Sequence, residues 1–165
     1  MPVQLLSKTH FGVVCEWRGV LVGVAAGRVE KSGWILNTTK SVYVMTLGVS
    51  PPFRRYKIAS KLMALLTQWF VDNHECNSVY LHVLASNDSA VQFYQSLGLT
   101  IVNLKQNYYH FNDQYHNAFV ASAKLPIPDK EIYFPHTKID MNESVEEGTS
   151  VGASSRFSLW QLFSC

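Results

Sequence analysis

The sequence predicts an α/β domain in which a mixed, twisted sheet is flanked by helices. Two observations carry the prediction. Short apolar stretches bounded by turn residues alternate with stretches whose apolar residues recur at helical spacing. After an opening pair of strands, the order is strand, helix, strand, helix, strand, strand.

Residues 1–9 are weakly patterned and read as the remnant of a helix. From Phe11 to Glu30 the chain reads as two strands joined around Arg18-Gly19, a hairpin turn signal. Lys31–Lys40 holds Gly33 among polar residues and reads as a loop. Val42–Val49 is a third strand, apolar enough to be buried on both faces. From Ile58, Leu62, Leu65, Leu66, Trp69 and Phe70 share one face of an amphipathic helix that ends near Asn73-His74. Ser78–Ala85 is a strand in which Val79, Leu81 and Val83 alternate with Tyr80, His82 and Leu84. Asn87-Asp88-Ser89 supplies cap residues for a second helix carrying Ala90, Val91, Phe93, Tyr94 and Leu97, and Gly98 is placed to stop it. Leu99–Tyr109 and Tyr115–Leu125 read as two closing strands around a polar turn.

At Pro126 the composition changes. Up to Ser155 the chain is rich in Pro, acidic residues, Ser and Thr, which predicts a mostly disordered tail from 126 to 165 behind a domain at 1–125. The final ten residues, with Phe157, Leu159, Trp160, Leu162 and Phe163, form an apolar cluster compatible with a short amphipathic segment.

The 165 residues suffice for one domain, and 47% apolar content suffices for a core. A net charge of +2 gives no argument for nucleic acid or an anionic membrane. Cys15, Cys76 and Cys165 are odd in number and far apart, with no metal-ligand spacing, so free thiols and no metal are expected. No basic segment with a long apolar core opens the chain, and no run approaches the ~18 apolar residues of a membrane span. The expectation is a cytosolic or nuclear protein.

The stretch Tyr43–Lys61 organises the rest. A strand runs through Pro51-Pro52 into the basic run Arg54, Arg55, Lys57, Lys61 at the start of a helix. Helix N-termini present unpaired backbone N–H groups and the positive end of a dipole, so the junction suits a phosphate or pyrophosphate.

The order strand, basic turn, helix, His-bearing strand and then Asn-x-Ser-Ala-x-x-Phe-Tyr resembles the core of the GNAT acetyltransferases. Closer still are Tyr43-Val-Met-Thr-Leu-Gly48, Arg54-Arg55, Tyr80-Leu-His-Val83, Ser86-Asn87-Asp88-Ser89-Ala90, Phe93-Tyr94 and Asn107-Tyr108-Tyr109, which resemble the NatE branch of that family. The resemblance runs from about Val42 to Leu125. It implies the GNAT fold and acetyl transfer from acetyl-CoA to the α-amino group of protein N-termini, with Met followed by a hydrophobic residue preferred. It also implies no metal, and the NatA subunits at the ribosome as partners.

Residue by residue, the resemblance implies that Tyr43 and His82 act as general base through a water. Histidine suits this because its ordinary pKa lies near operating pH. Tyr94 matches the tyrosine that bonds the coenzyme sulfur and protonates the leaving thiolate. Leu47, Gly48, Val49, Arg54, Arg55, Tyr56, Lys57, Ile58, Ala59 and Ser60 would hold the acetyl carbonyl and the pyrophosphate, largely through backbone N–H groups. Asn87, Ser89 and Ala90 join them as cofactor contacts, and Met45, Tyr108, Tyr109, His110 and Phe111 face the substrate. Each has a plainer reading: His82 as an outward strand histidine, Tyr43 and Met45 as strand residues, Tyr94 as helix packing, Asn87 as a cap, and the tyrosines as an edge strand.

Two departures from the family pattern stand out. Lys57 occupies the place of the first glycine in the pyrophosphate motif. If that place needs φ > 0, lysine costs about 1–2 kcal/mol; if it is right-handed, only crowding results and the ammonium is free to pair with a phosphate. Weakened rather than abolished acetyl-CoA binding is expected. The second departure is at the start. A family member begins with a strand and two helices before the first hairpin, so an N-terminally shortened domain is expected, with part of the peptide pocket and the cover of a sheet edge missing. A non-catalytic binding module for NatA, or an acetyltransferase of lysine or small amines, are the alternatives.

Overall fold

Two glycines let a helix lie close on the sheet. The computed structural model describes residues 9–32, 39–127 and 155–160. Its first hairpin joins β1, His10–Trp17, to β2, Val20–Ser32, through Arg18 and Gly19, both at positive φ. β3, Thr39–Val49, returns antiparallel to β2. A 3-10 turn at Pro51–Phe53 then leads into α1, Ile58–His74. A Cβ on Gly23 would meet Ile58 and Leu62 at 3.1 Å, and one on Gly27 would meet Phe70 at 3.2 Å, so side chains there would push α1 away.

The face of α1 expected from its periodicity is the buried one. Leu62, Met63, Leu66 and Phe70 are fully enclosed, against Phe11, Val13, Cys15, Val22, Ala25, Val42 and Val44 among others. Burying each large side chain contributes roughly 1.5–3 kcal/mol. Thr67 enters the same interior without loss because its hydroxyl donates to the Met63 carbonyl oxygen at 2.8 Å. Trp69 stacks on Phe11 at 4.0 Å.

After α1 come β4, Ser78–Leu84, α2, Asp88–Ser96, β5, Thr100–Phe111, and β6, Gln114–Lys124. Asn87 caps α2: its side chain accepts from the Ala90 N–H at 3.1 Å, and Gly98 at φ 90 ends the helix. With β7, Ser155–Trp160, the sheet order is β5-β6-β4-β3-β2-β1-β7, in which β3 and β4 are parallel and every other pair is antiparallel. The mixed sheet and the two helices bear out the expected architecture.

Two expectations are corrected. β3 is not buried on both faces: Val42 and Val44 lie in the core, but Met45, Thr46 and Gly48 are exposed, because the strand that flanks it leaves it halfway. In the stretch expected to be a tail, Ser155–Trp160 form a strand. They pair antiparallel with Gly12–Trp17, so the edge of β1 expected to stand open is covered. Unpaired N–H and C=O groups on an edge strand favour such an addition. The readings for residues 1–8, 33–38, 128–154 and 161–165, Cys165 included, lie outside the described residues. Cys15 and Cys76 are free and buried.

Candidate active site

The site begins where two parallel strands part. β3 and β4 pair only at Ser41↔Ser78, Val42↔Val79 and Tyr43↔Tyr80. Beyond Tyr43 and Tyr80, β3 stays on β2 as far as Val49 and β4 stays on β6 as far as Leu84. The C-terminal halves therefore splay into a wedge whose facing backbone groups have no ladder partner across it. Crevices at the carboxyl ends of parallel strands are where open α/β sheets take ligands.

Alternation sorts the side chains around the wedge. Val79, Leu81 and Val83 enter the core beneath α1, so Tyr80 and His82 point to the opposite face. There the Tyr43 ring lies 5.1 Å from Tyr80 and 5.7 Å, edge-on, from His82. Tyr108 stacks on His82 at 4.2 Å, and the Tyr109 hydroxyl donates to the His82 carbonyl oxygen at 3.2 Å. Neighbouring residues on a regular strand cannot both reach one partner. Here they do because β5 is irregular: Lys105 pairs with Ala118 and Tyr109 with His116, so three residues oppose one. Asn107 sits in this bulge at φ 52, its N–H held by the Asn117 side chain at 3.0 Å. A second bulge, between Ala26↔Thr46 and Gly27↔Val44, makes Met45 the extra residue of β3 and leaves it exposed at the wedge.

The electrostatics separate the two central groups. Burial, helped by the Lys105 charge and opposed by Glu30, pushes the His82 imidazole below its ordinary value, so it is neutral at pH 7. Among the described residues its Nδ1 is buried with no hydrogen-bond partner. Burial, and then the neighbouring Tyr108 phenol, push the Tyr43 phenol up to about 12, so it stays protonated at pH 7. Tyr94 is also pushed up, by burial and then by Tyr109.

The structure unites Tyr43, His82, Tyr108 and Tyr109 but not every residue expected of the site. Tyr94, on α2, packs against the core with its ring on Phe93 at 5.2 Å, and its phenol feels that of Tyr109, which borders the wedge. His110 and Phe111 turn to the hairpin end, against Tyr115 at 4.6 Å and His116 at 3.9 Å. Their place is the end of β5 rather than the wedge, since the strand carries them past it. Asn87 is a helix cap, as its plainer reading had it, and also accepts from Ser89 at 3.0 Å.

The basic turn adopts an unusual backbone. Arg55 at φ 72 and Lys57 at φ 59 are left-handed, Arg54 Nε donates to the Val49 carbonyl at 3.1 Å, and the N-cap Lys57 makes no side-chain cap bond. The question left open by the sequence is thus decided for positive φ, the conformation glycine would adopt without strain. Alternating left- and right-handed residues turn successive N–H groups inward, as anion-binding nests require. From this turn a groove of about 670 Å³ runs along α1 past Lys57, Ser60, Lys61 and Ala64, facing Ser96 and Leu97 of α2. Among the described residues no His, Cys, Asp and Glu group could hold a metal ion.

Three residues at the site were given no role by the sequence: Arg28 and Glu30, outside every motif, and Tyr80, which falls within one only as the neighbour of His82. Arg28 Cζ lies 4.9 Å over the Tyr43 ring, Arg28 Nη2 meets Glu30 Oε1 at 2.6 Å, and the Tyr80 hydroxyl donates to Glu30 Oε2. The available signal was two opposite charges at i and i+2 after a run of apolar and small residues, Val20 to Gly27, on the same strand.

A model described as the acetyltransferase (GNAT) family matches residues 3–99. The chain is 37% identical over 106 residues to N-alpha-acetyltransferase 50 of Danio rerio, which covers 64% of this chain and 61% of the relative. The structure of Arabidopsis thaliana Naa50 in complex with the bisubstrate analogue CoA-Ac-MVNAL is 34% identical with a TM-score of 0.54, covering 64% of this chain and 66% of that one. Arabidopsis thaliana NAA60 in complex with a bisubstrate analogue, 24% identical with a TM-score of 0.57, covers 63% and 64% and shares the fold. The chain thus spans just under two thirds of the length of these relatives.

Proposed function

Since the chain belongs to the GNAT acetyltransferase family, we propose that it transfers acetyl from acetyl-CoA to the α-amino group of protein N-termini, favouring Met followed by a hydrophobic residue. One observation carries the reading: a neutral, unpartnered His82 nitrogen and a protonated Tyr43 stand together where β3 and β4 part. The Naa50 relative was captured with an analogue joining CoA to a peptide that begins with Met, which supports the same substrates here.

In this reading the thioester lies in the wedge and the CoA phosphates lie on the turn Arg54–Ser60. Leu47 and Val49 offer backbone N–H groups across the wedge, while that of Gly48 faces β2, as that of Ser50 does on the Val22 carbonyl. An α-ammonium has a pKa near ~8, so much of it must lose its proton before attack. His82 takes that proton, directly or through a water, and Tyr43 orients the nucleophile as a donor. The amine nitrogen then bonds to the acetyl carbon, the C–S bond breaks, and the second proton of the former amine passes, through a hydroxyl such as that of Tyr94, to the leaving thiolate, giving the amide and the free thiol of CoA. Met45, Tyr108 and Tyr109 would line the path of the first substrate residue. Exclusion of water by these rings strengthens each electrostatic contact.

The reading brings with it a place in the cytosol, or the nucleus, and the NatA subunits at the ribosome as partners; co-sedimentation with ribosomes tests that part. The decisive assay compares turnover of acetyl-CoA on Met-Leu-starting peptides, internal-lysine peptides and small amines. Turnover confined to the first class is expected. No turnover on any amine would leave a binding module instead.

A further inference from the structure

Tyr43 and Tyr80 are the last paired rung before β3 and β4 separate, and Arg28 continues that rung on β2. Arg28, Tyr43 and Tyr80 thus form one cross-strand row at the apex of the wedge. The row is tied by a bond that skips a strand: the Tyr80 hydroxyl on β4 passes over β3 to reach Glu30 on β2. Glu30 is held from its other side by a forked pair with Arg28, at 3.0 Å from Nε and 2.6 Å from Nη2. Arg28 in turn lies over the Tyr43 ring.

We propose that Arg28, Glu30 and Tyr80 act as a positioning clamp that fixes the apex of the wedge, holding the Tyr43 ring and the neighbouring His82 in their working geometry. The proposal rests on the acetyltransferase reading but assigns three residues that take no part in the proton or acetyl transfer. Without the clamp, Tyr43 keeps its strand but loses the charge over its ring. Tyr80 loses the tie that keeps β4 in register with β2 across β3. A guanidinium fork on a carboxylate has fixed geometry, which a lysine point charge lacks. Misplacing a catalytic group by an ångström costs up to about 10²-fold in rate.

Among the described residues, the clamp also contributes the one negative charge acting on His82. The groups facing the imidazole are Tyr80 on β4, Tyr43 on β3, Tyr108, Tyr109 and Lys105 on β5, and Glu30 on β2. Lys105 opposes protonation and Glu30 favours it.

The test uses the full chain with acetyl-CoA and a Met-Leu peptide, together with NMR titration of the His82 ring assigned through His82→Gln. In Glu30→Gln, kcat falls about tenfold while KM for acetyl-CoA holds, and the His82 midpoint moves to lower pH. Tyr80→Phe, which keeps the ring and its packing, lowers kcat in the same way. The double variant is no worse than the worse single, because both remove one tie. Arg28→Lys restores only part of the kcat lost in Arg28→Met. Lys105→Gln moves the His82 midpoint the opposite way. An unchanged kcat or an unmoved His82 midpoint in Glu30→Gln overturns the clamp, as does additive loss in the double variant. A wild-type protein that acetylates no amine sinks the acetyltransferase reading, whereas the titration and the strand register still judge the clamp.

Discussion

Replacing Lys57 by glycine should stabilise this protein. Lys57 is held at φ 59, ψ 15, next to the first turn of α1, and its side chain makes no cap bond there. A left-handed conformation costs a residue with a Cβ about 1–2 kcal/mol. Glycine escapes that strain but gives up about 0.5–1 kcal/mol of extra chain entropy on folding. The difference favours Lys57→Gly by about 0.5–1 kcal/mol, a Tm rise of roughly 1–4 °C for a chain of this size. Lys57→Ala serves as the control, since it removes the ammonium but keeps the Cβ and therefore the strain. Urea unfolding at constant m-value reads both. A Lys57→Gly midpoint at or below wild type, or an equal gain in Lys57→Ala, would refute the strain argument. The backbone is left-handed before any ligand arrives, and a bound state that keeps it carries the same strain. Calorimetry should then find acetyl-CoA affinity in Lys57→Gly no tighter than wild type, and lower by up to about fivefold if the ammonium meets a phosphate. No binding by wild type at millimolar acetyl-CoA would remove the cofactor site altogether.

Other outcomes follow from the same contacts. His82→Ala should keep the fold by circular dichroism and lose about 10²–10⁴-fold in kcat; retained turnover would put the base elsewhere. Because burial holds His82 below its ordinary 6.5, the acid limb of kcat/KM should lie below pH 6.5, and a limb above it would contradict the site. Gly27→Ala should cost about 1–3 kcal/mol, since the new Cβ would stand 3.0 Å from the Tyr43 carbonyl oxygen and 3.2 Å from Phe70; chemical denaturation checks it. Tyr43 titrates near 12 in the folded chain, against about 10 when unfolded. The unfolded state therefore loses its proton first, so stability present below pH 10 is lost as pH rises towards 12. Tyr43→Phe should flatten that alkaline decline in melting experiments.

Much of this protein is written locally. Apolar spacing from Ile58 to Phe70 specified α1 and its buried face, Arg18-Gly19 the first turn, Asn87 and Gly98 the ends of α2, and the alternation at Val79–Val83 which side chains leave the core. Such signals depend on residues a few positions apart, so a linear reading catches them. The motif around Tyr43, His82 and Tyr108-Tyr109 likewise pointed to the side chains that meet.

What local pattern could not decide are relations between distant strands. Where β3 and β4 cease to pair, that Tyr80 reaches over Tyr43's strand to Glu30, and that residues 155–160 close the edge of β1 are properties of register and of sheet order. Each depends on backbone groups finding partners tens of residues away. The handedness at Lys57 falls in the same class: lysine by itself prefers negative φ, and only the path from β3 over the two prolines into a docked α1 holds it at positive φ. The sequence by itself thus determined the elements and most of the residues that carry chemistry. The tertiary structure decided how those residues are held, because packing and strand pairing outweigh a single residue's preference by more than the roughly 1–2 kcal/mol that preference is worth.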